Sequence, residues 1–166
     1  MLRKLMPWRD AVDWYNAGVG HQNSGGYKEA IRCYDRALEL DPEYASAWYN
    51  KGTALANLGR YDEAIQCYDH TLEIGPEYAI AWNNKGIALK GLGRYDEAIR
   101  CYDRALETDP EHAGAWNSKG NPRANPGRYD DAIRCRYRTL ETHPQQAYAR
   151  TIKRISLTNI GRPNEA

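Results

Sequence analysis

The length of 166 residues allows one compact domain, and no apolar run reaches the roughly 18 residues that a membrane span needs. Met1 to Asp10 has basic residues without the apolar stretch of a secretory signal, so the chain is expected to be cytoplasmic. Phe is absent, and 13 Tyr and 5 Trp carry the aromatic packing, each with an OH or NH that prefers a polar partner when buried.

After an N-terminal extension over residues 1–10, the chain repeats itself. Trp14, Trp48, Trp82 and Trp116 recur every 34 residues. Around each stands a version of A-x-A-W-x-N-K-G, about six further residues, and G-R-Y-D-E-A-I-x-C-Y-D-x-x-L-E, closed by Pro42, Pro76, Pro110 or Pro144. The units are 11–44, 45–78, 79–112 and 113–146, and 147–166 copies the opening of a fifth unit that stops as its second helix should begin.

The third unit shows how one copy should fold. Trp82, Gly86 and Leu89 fall at spacings of four and three and share one face of a first helix, with Lys85 beside it. Gly86 lets a second helix approach closely, and Trp82 is expected to cover the gap beside it. Gly93-Arg94 supplies the turn, after which Asp96 and Glu97 sit in a first turn where carboxylates complement the macrodipole. Ala98, Tyr102 and Ala105 form a small-large-small stripe that docks on the first helix. Pro110 ends the unit, and Asp109 is expected to cap the next helix.

The ordered set Trp, Gly, Tyr, Ala, aromatic, Ala, Pro at this period resembles the tetratricopeptide repeat, over Ala11 to Gln146. The resemblance implies an all-α fold, a right-handed α-solenoid of helix-turn-helix units whose stability adds up repeat by repeat. The fourth unit departs from the template. Pro122-Arg123-Ala124-Asn125-Pro126 stands where the second unit has Ala54-Leu55-Ala56-Asn57-Leu58, and Arg136 replaces Tyr34, Tyr68 and Tyr102. An interior proline costs a helix about 3 kcal/mol, so this first helix is expected to be kinked or to stop near Asn121. In the tail, Ile152, Ile155, Leu157 and Ile160 either cap the array or form a self-association surface for a homodimer.

Cys33, Cys67, Cys101 and Cys135 recur once per unit, without the C-x₂-C clustering of a zinc site. Equivalent points on successive second helices have another helix between them, beyond the roughly 7 Å Cα limit of a disulfide. They read as reduced packing residues. His21, His70, His112 and His143 fall at unrelated registers, and no nucleophile elbow, phosphate loop or H-E-x-x-H motif occurs. No catalytic residue, metal or cofactor is expected, and the chain is read as a non-enzyme.

The resemblance places the first helices on an inner, concave wall where a protein or peptide partner binds. Here the wall comprises Val12, Tyr15, Val19 and Asn23, then Tyr49, Thr53 and Asn57, then Ile80, Asn83 and Ile87, then Asn117 and Asn121, all expected to be exposed. Asn16, Asn50 and Asn84 share a register and resemble a ladder holding an extended main chain, since one carboxamide offers both donor and acceptor. A two-carboxylate clamp for an acidic C-terminus would need cations on this wall. The corresponding places hold Tyr15, Val19, Asn50, Ile80 and Asn84 instead.

Charge is unevenly distributed. Residues 1–112 carry 13 basic and 18 acidic side chains, whereas 113–166 carry 10 and 4. Steering of a polyanion by this basic C-terminal end, as in nucleic-acid binding, is a third functional reading, and the cluster shows no nucleic-acid-binding motif.

Overall fold

A computed structural model describes residues 10–120, and the extension, Asn121 and the expectations for Pro122 to Ala166 lie outside it. The chain divides into two compact units, Met1–Pro76 and Glu77–Ala166. The described residues form helices and no strand. In the first unit these are α1 (Ala11–Asn23), α2 (Tyr27–Leu40), α3 (Ala45–Asn57) and α4 (Tyr61–Ile74). The second holds α5 (Ala79–Gly91), α6 (Tyr95–Thr108) and α7 (Ala113–Lys119). Within the first unit α1 packs on α2, α2 on α3 and α3 on α4; within the second α6 packs on both α5 and α7.

The hairpin turns are built on three glycines with positive φ, Gly25 (76°), Gly59 (75°) and Gly93 (75°). After α5, the Arg94 N–H donates to the Leu89 carbonyl at 2.9 Å and the Gly93 N–H to the Lys90 carbonyl at 3.0 Å. This Schellman pair satisfies carbonyls that the helix end would orphan. Arg94 then begins α6 and grips Glu97, its Nε and Nη2 each donating to a carboxylate oxygen at 2.7 Å. Glu97 thus answers an arginine side chain as well as the helix dipole. Arg60 and Glu63 repeat the arrangement before α4, at 2.6 and 2.5 Å.

The space opposite each first-helix glycine belongs to a tyrosine. A Cβ on Gly86 would lie 2.5 Å from Tyr102 Cε1 and 3.0 Å from the Ala98 carbonyl oxygen; Gly18 faces Tyr34 and Gly52 faces Tyr68 in the same way. The close approach expected at Gly86 is made by the second-helix ring, which inserts there because only a residue without Cβ admits it. Tyr34, Tyr68 and Tyr102 are fully buried, flanked by the buried Ala30, Ala37, Ala64, Ala98 and Ala105. Removing a buried ring of that size costs about 3–5 kcal/mol. Burial pushes the Tyr68 hydroxyl pKa up to about 12, partly offset by its bond to Thr53, and burial likewise raises Tyr34 and Tyr102.

The tryptophans are half-buried at the junctions between repeats, where Trp14 and Trp48 pack against the Ala37, Leu38 and Ala47 cluster. Their indoles find the polar partner that burial demands. Trp48 Nε1 donates to the Pro42 carbonyl and Trp116 Nε1 to the Pro110 carbonyl, both at 2.8 Å. Ion pairs cross the same junctions, Lys51 Nζ to Asp35 at 2.6 Å and Lys119 Nζ to Asp103 at 2.5 Å.

Asp109 does not cap the next helix. It is the C-cap residue of α6, and its carboxylate accepts from the Glu111 N–H at 3.1 Å, tightening the turn around Pro110. The N-cap of α7 is His112, whose Nδ1 accepts from the Ala115 N–H at 3.2 Å. Proline moves the helix start three residues past Asp109, beyond that carboxylate's reach. Cys33, Cys67 and Cys101 are buried, and burial pushes the Cys67 thiol pKa up to about 11.

Candidate functional site

Each unit carries a candidate surface, on α1 and α3 in the first and on α5 and the short α7 in the second, on the side of each helix away from its Trp-Gly face. In the first unit Val12 is 51% exposed, Asn16 is exposed, and Tyr15, Val19, Tyr49, Asn50 and Thr53 are half-buried. Tyr15 leans on Tyr44 with ring centroids 5.0 Å apart and on Tyr34 at 6.0 Å. Its hydroxyl accepts from Asn50 Nδ2 at 2.9 Å, a bond from α1 to α3 that brings two of the expected site residues together.

That bond changes what Asn50 can offer a ligand. One amide hydrogen is engaged, leaving the second hydrogen and Oδ1. Thr53 is engaged more fully. Its Oγ1 donates to the Tyr49 carbonyl at 3.1 Å and accepts from the Tyr68 hydroxyl at 3.5 Å, while its own carbonyl accepts from Asn57 Nδ2 at 2.8 Å. Thr53 therefore contributes shape and a methyl group more than a hydrogen bond.

In the second unit Ile80 and Ile87 are 46% and 39% exposed. These spacings put both on one side of α5, about half a turn from Trp82 and Leu89. Asn83 departs from the expected exposure: it is only 6% exposed, because the helix turns it inward, and its Nδ2 lies 3.7 Å from where a Cβ on Gly114 of α7 would be. Asn83 Nδ2 donates to Asn84 Oδ1 at 3.2 Å, so the half-buried Asn84 already accepts one bond within α5. Asn117 on α7 is half-buried.

Every residue of this surface is uncharged. It can hold apolar side chains on Val12, Ile80 and Ile87 and exchange backbone hydrogen bonds with amides. It has no cation for a carboxylate. Among the described residues no group of His, Cys, Asp and Glu could hold a metal ion, and no helix is long and apolar enough to cross a membrane. Residue patterns gave no sign of the Tyr15–Asn50 link or of Tyr44 behind Tyr15, since both depend on how helices from different repeats meet. The Tyr-to-Asn change from Tyr15 and Tyr49 to Asn83 and Asn117 is a difference between the repeats that the sequence does show.

Comparisons with known proteins agree with this architecture. Three family models match, described as tetratricopeptide repeat over residues 43–111, TPR repeat over 23–59 and tetratricopeptide repeat over 83–147. No curated protein matches the chain in sequence. Among solved structures, MamA from Desulfovibrio magneticus RS-1 is similar in fold, with TM-score 0.82 at 20% identity, covering 93% of this chain and 88% of that one. YrrB, described as a TPR protein with an unusual peptide-binding site, has TM-score 0.74 at 25% identity, covering 92% and 79%. The first TPR of Spaghetti (RPAP3), bound to the HSP90 peptide SRMEEVD, has TM-score 0.65 at 26% identity, covering 66% and 87%. With its 34-residue period, its glycine-tyrosine helix pairs and family models that together span residues 23–147, the chain belongs to the tetratricopeptide repeat family.

Proposed function

We propose that the protein is a non-catalytic interaction scaffold that binds an extended protein or peptide segment along the first-helix surface. One observation carries this reading: on helices whose opposite faces are buried, Val12 stays exposed beside the exposed Asn16 in the first unit, and Ile80 and Ile87 stay exposed beside Asn84 in the second. Apolar side chains left in water beside amides suit a partner that supplies both apolar groups and an unpaired main chain. The peptide-binding site described for YrrB and the HSP90 peptide bound to the first TPR of Spaghetti support the class of partner. The absence of charge on this surface favours a segment with apolar side chains over an acidic one.

Binding in this mode is modest. At about 0.5–1.5 kcal/mol net per hydrogen bond, three amides contribute a few kcal/mol, and apolar contacts with Ile80 and Ile87 must add selectivity. The test uses peptides selected on the full-length chain from a random library. Replacing Asn16, Asn50 and Asn84 together with Ala is expected to weaken the best peptide by at least about tenfold, with helicity by circular dichroism nearly unchanged. Unaltered affinity in the triple variant would sink the ladder, and unaltered affinity after Ile80→Ser with Ile87→Ser would sink the surface.

A further inference from the structure

On the opposite side of α5 a cleft of about 170 Å³ opens against α6, lined among others by Trp82, Lys85, Leu89, Glu97, Arg100 and Arg104. Lys85 Nζ and Arg104 Cζ lie 5.5 and 5.7 Å from the centroid of the Trp82 ring. The one carboxylate in this lining, Glu97, is already bound by Arg94 through both oxygens. Its pKa is held down by that bond first and then by the charges of Arg94, Arg100 and Lys85, which places all three cations within electrostatic reach of it. Arg104 bonds Glu107 at 2.7 Å, but both side chains are more than half exposed, where such a pair holds weakly. The cleft thus sets Arg100 and Arg104 beside an aromatic and aliphatic floor.

The second repeat provides an internal control. At the places of Arg100 and Arg104 it carries Gln66 and His70, and the His70 ring stacks on Trp48 with centroids 4.5 Å apart. The indole face that His70 covers in the second repeat has Arg104 beside it in the third, with Arg100 one turn away. The fold does not require the arginines, since Gln and His serve at the same positions.

We infer that the Trp82–Arg100–Arg104 cleft is a second binding site, separate from the first-helix surface, for a glutamate side chain of an acidic peptide segment. The guanidinium groups of Arg100 and Arg104 receive the carboxylate, and the indole and Leu89 receive its methylene stem, as apolar surface does for other amphipathic side chains. A nucleic acid would need cations tracking several phosphates along a backbone. Arg100 and Arg104 stand one turn apart on a single helix, a reach that suits one carboxylate.

The test uses the full-length chain with hexaglutamate as probe at low ionic strength. Binding is followed by calorimetry and by the indole N–H resonance of Trp82. Arg100→Gln with Arg104→His, which copies the second repeat, is expected to weaken hexaglutamate at least about tenfold without lowering the unfolding midpoint. The reciprocal Gln66→Arg with His70→Arg is expected to add a second equivalent of binding sensed at Trp48. Equal affinity in the Arg100/Arg104 variant, or a Trp82 resonance that stays still at millimolar hexaglutamate, overturns the assignment. Tighter binding of hexathymidylate than of hexaglutamate at the same resonance overturns it in favour of a nucleic-acid site.

Discussion

Two glycines in α1 show how differently one residue type can act within a single turn. A Cβ on Gly18 would lie 2.5 Å from Tyr34 Cε1, whereas one on Gly20 would meet nothing within 4 Å. Gly18→Ala must displace a buried ring and is expected to cost about 1–3 kcal/mol. Gly20→Ala fills no occupied space and removes unfolded-chain entropy, so it is expected to stabilise by about 0.5–1 kcal/mol. Urea denaturation of both variants checks the pair, and a destabilising Gly20→Ala would contradict the open surface at that point. The sequence showed both as glycines of one helix. Only Gly18 recurs as Gly52 and Gly86, and that recurrence was the legible sign of a packing role.

At the scale of the element, each repeat depends on a short turn held by backbone geometry. Gly93 has φ 75°, and its N–H and that of Arg94 close the end of α5. Any L-residue with a Cβ is strained in this left-handed region, so Gly93→Ala is expected to cost about 1–2 kcal/mol although no atom crowds the position. Gly93→Asn should recover part of that loss, because Asn tolerates the conformation. Equal midpoints for wild type and Gly93→Ala in thermal unfolding would show that the turn has another way to close. This element was readable from Gly-Arg at a fixed offset, whereas the Arg94–Glu97 fork was not, since Glu97 had an adequate explanation in the helix dipole alone.

At the scale of the whole molecule, cohesion is assembled from helix pairs and repeat junctions. Each glycine-tyrosine pair locks the two helices of one repeat, and each Trp-to-Pro carbonyl bond with its Asp–Lys pair joins one repeat to the next. Nearest-neighbour cohesion of this kind gives local responses to local damage. Native-state hydrogen exchange on Gly18→Ala is expected to show protection lost chiefly in α1 and α2, with α5 and α6 nearly unchanged. An equal loss in all four helices would mean that the chain opens as a single cooperative unit.

The amino-acid sequence by itself determined the repeat, the helix pairs and the buried stripe Ala98, Tyr102 and Ala105, because period and small-large-small spacing are properties of one chain segment and survive without knowing its neighbours. It also determined that the first-helix surface is uncharged. Tertiary structure alone decided what meets across helices. It put Tyr102 against Gly86, turned Asn83 inward, tied Asn50 to Tyr15, and left Arg100 and Arg104 lining a cleft beside Trp82 where the second repeat has His70 stacked on Trp48. The physical reason is that intrahelical spacing assigns a side chain to a face, whereas its partner depends on the distance and angle at which a second helix arrives. The residues that set that approach lie on the second helix, more than a dozen positions away in the chain.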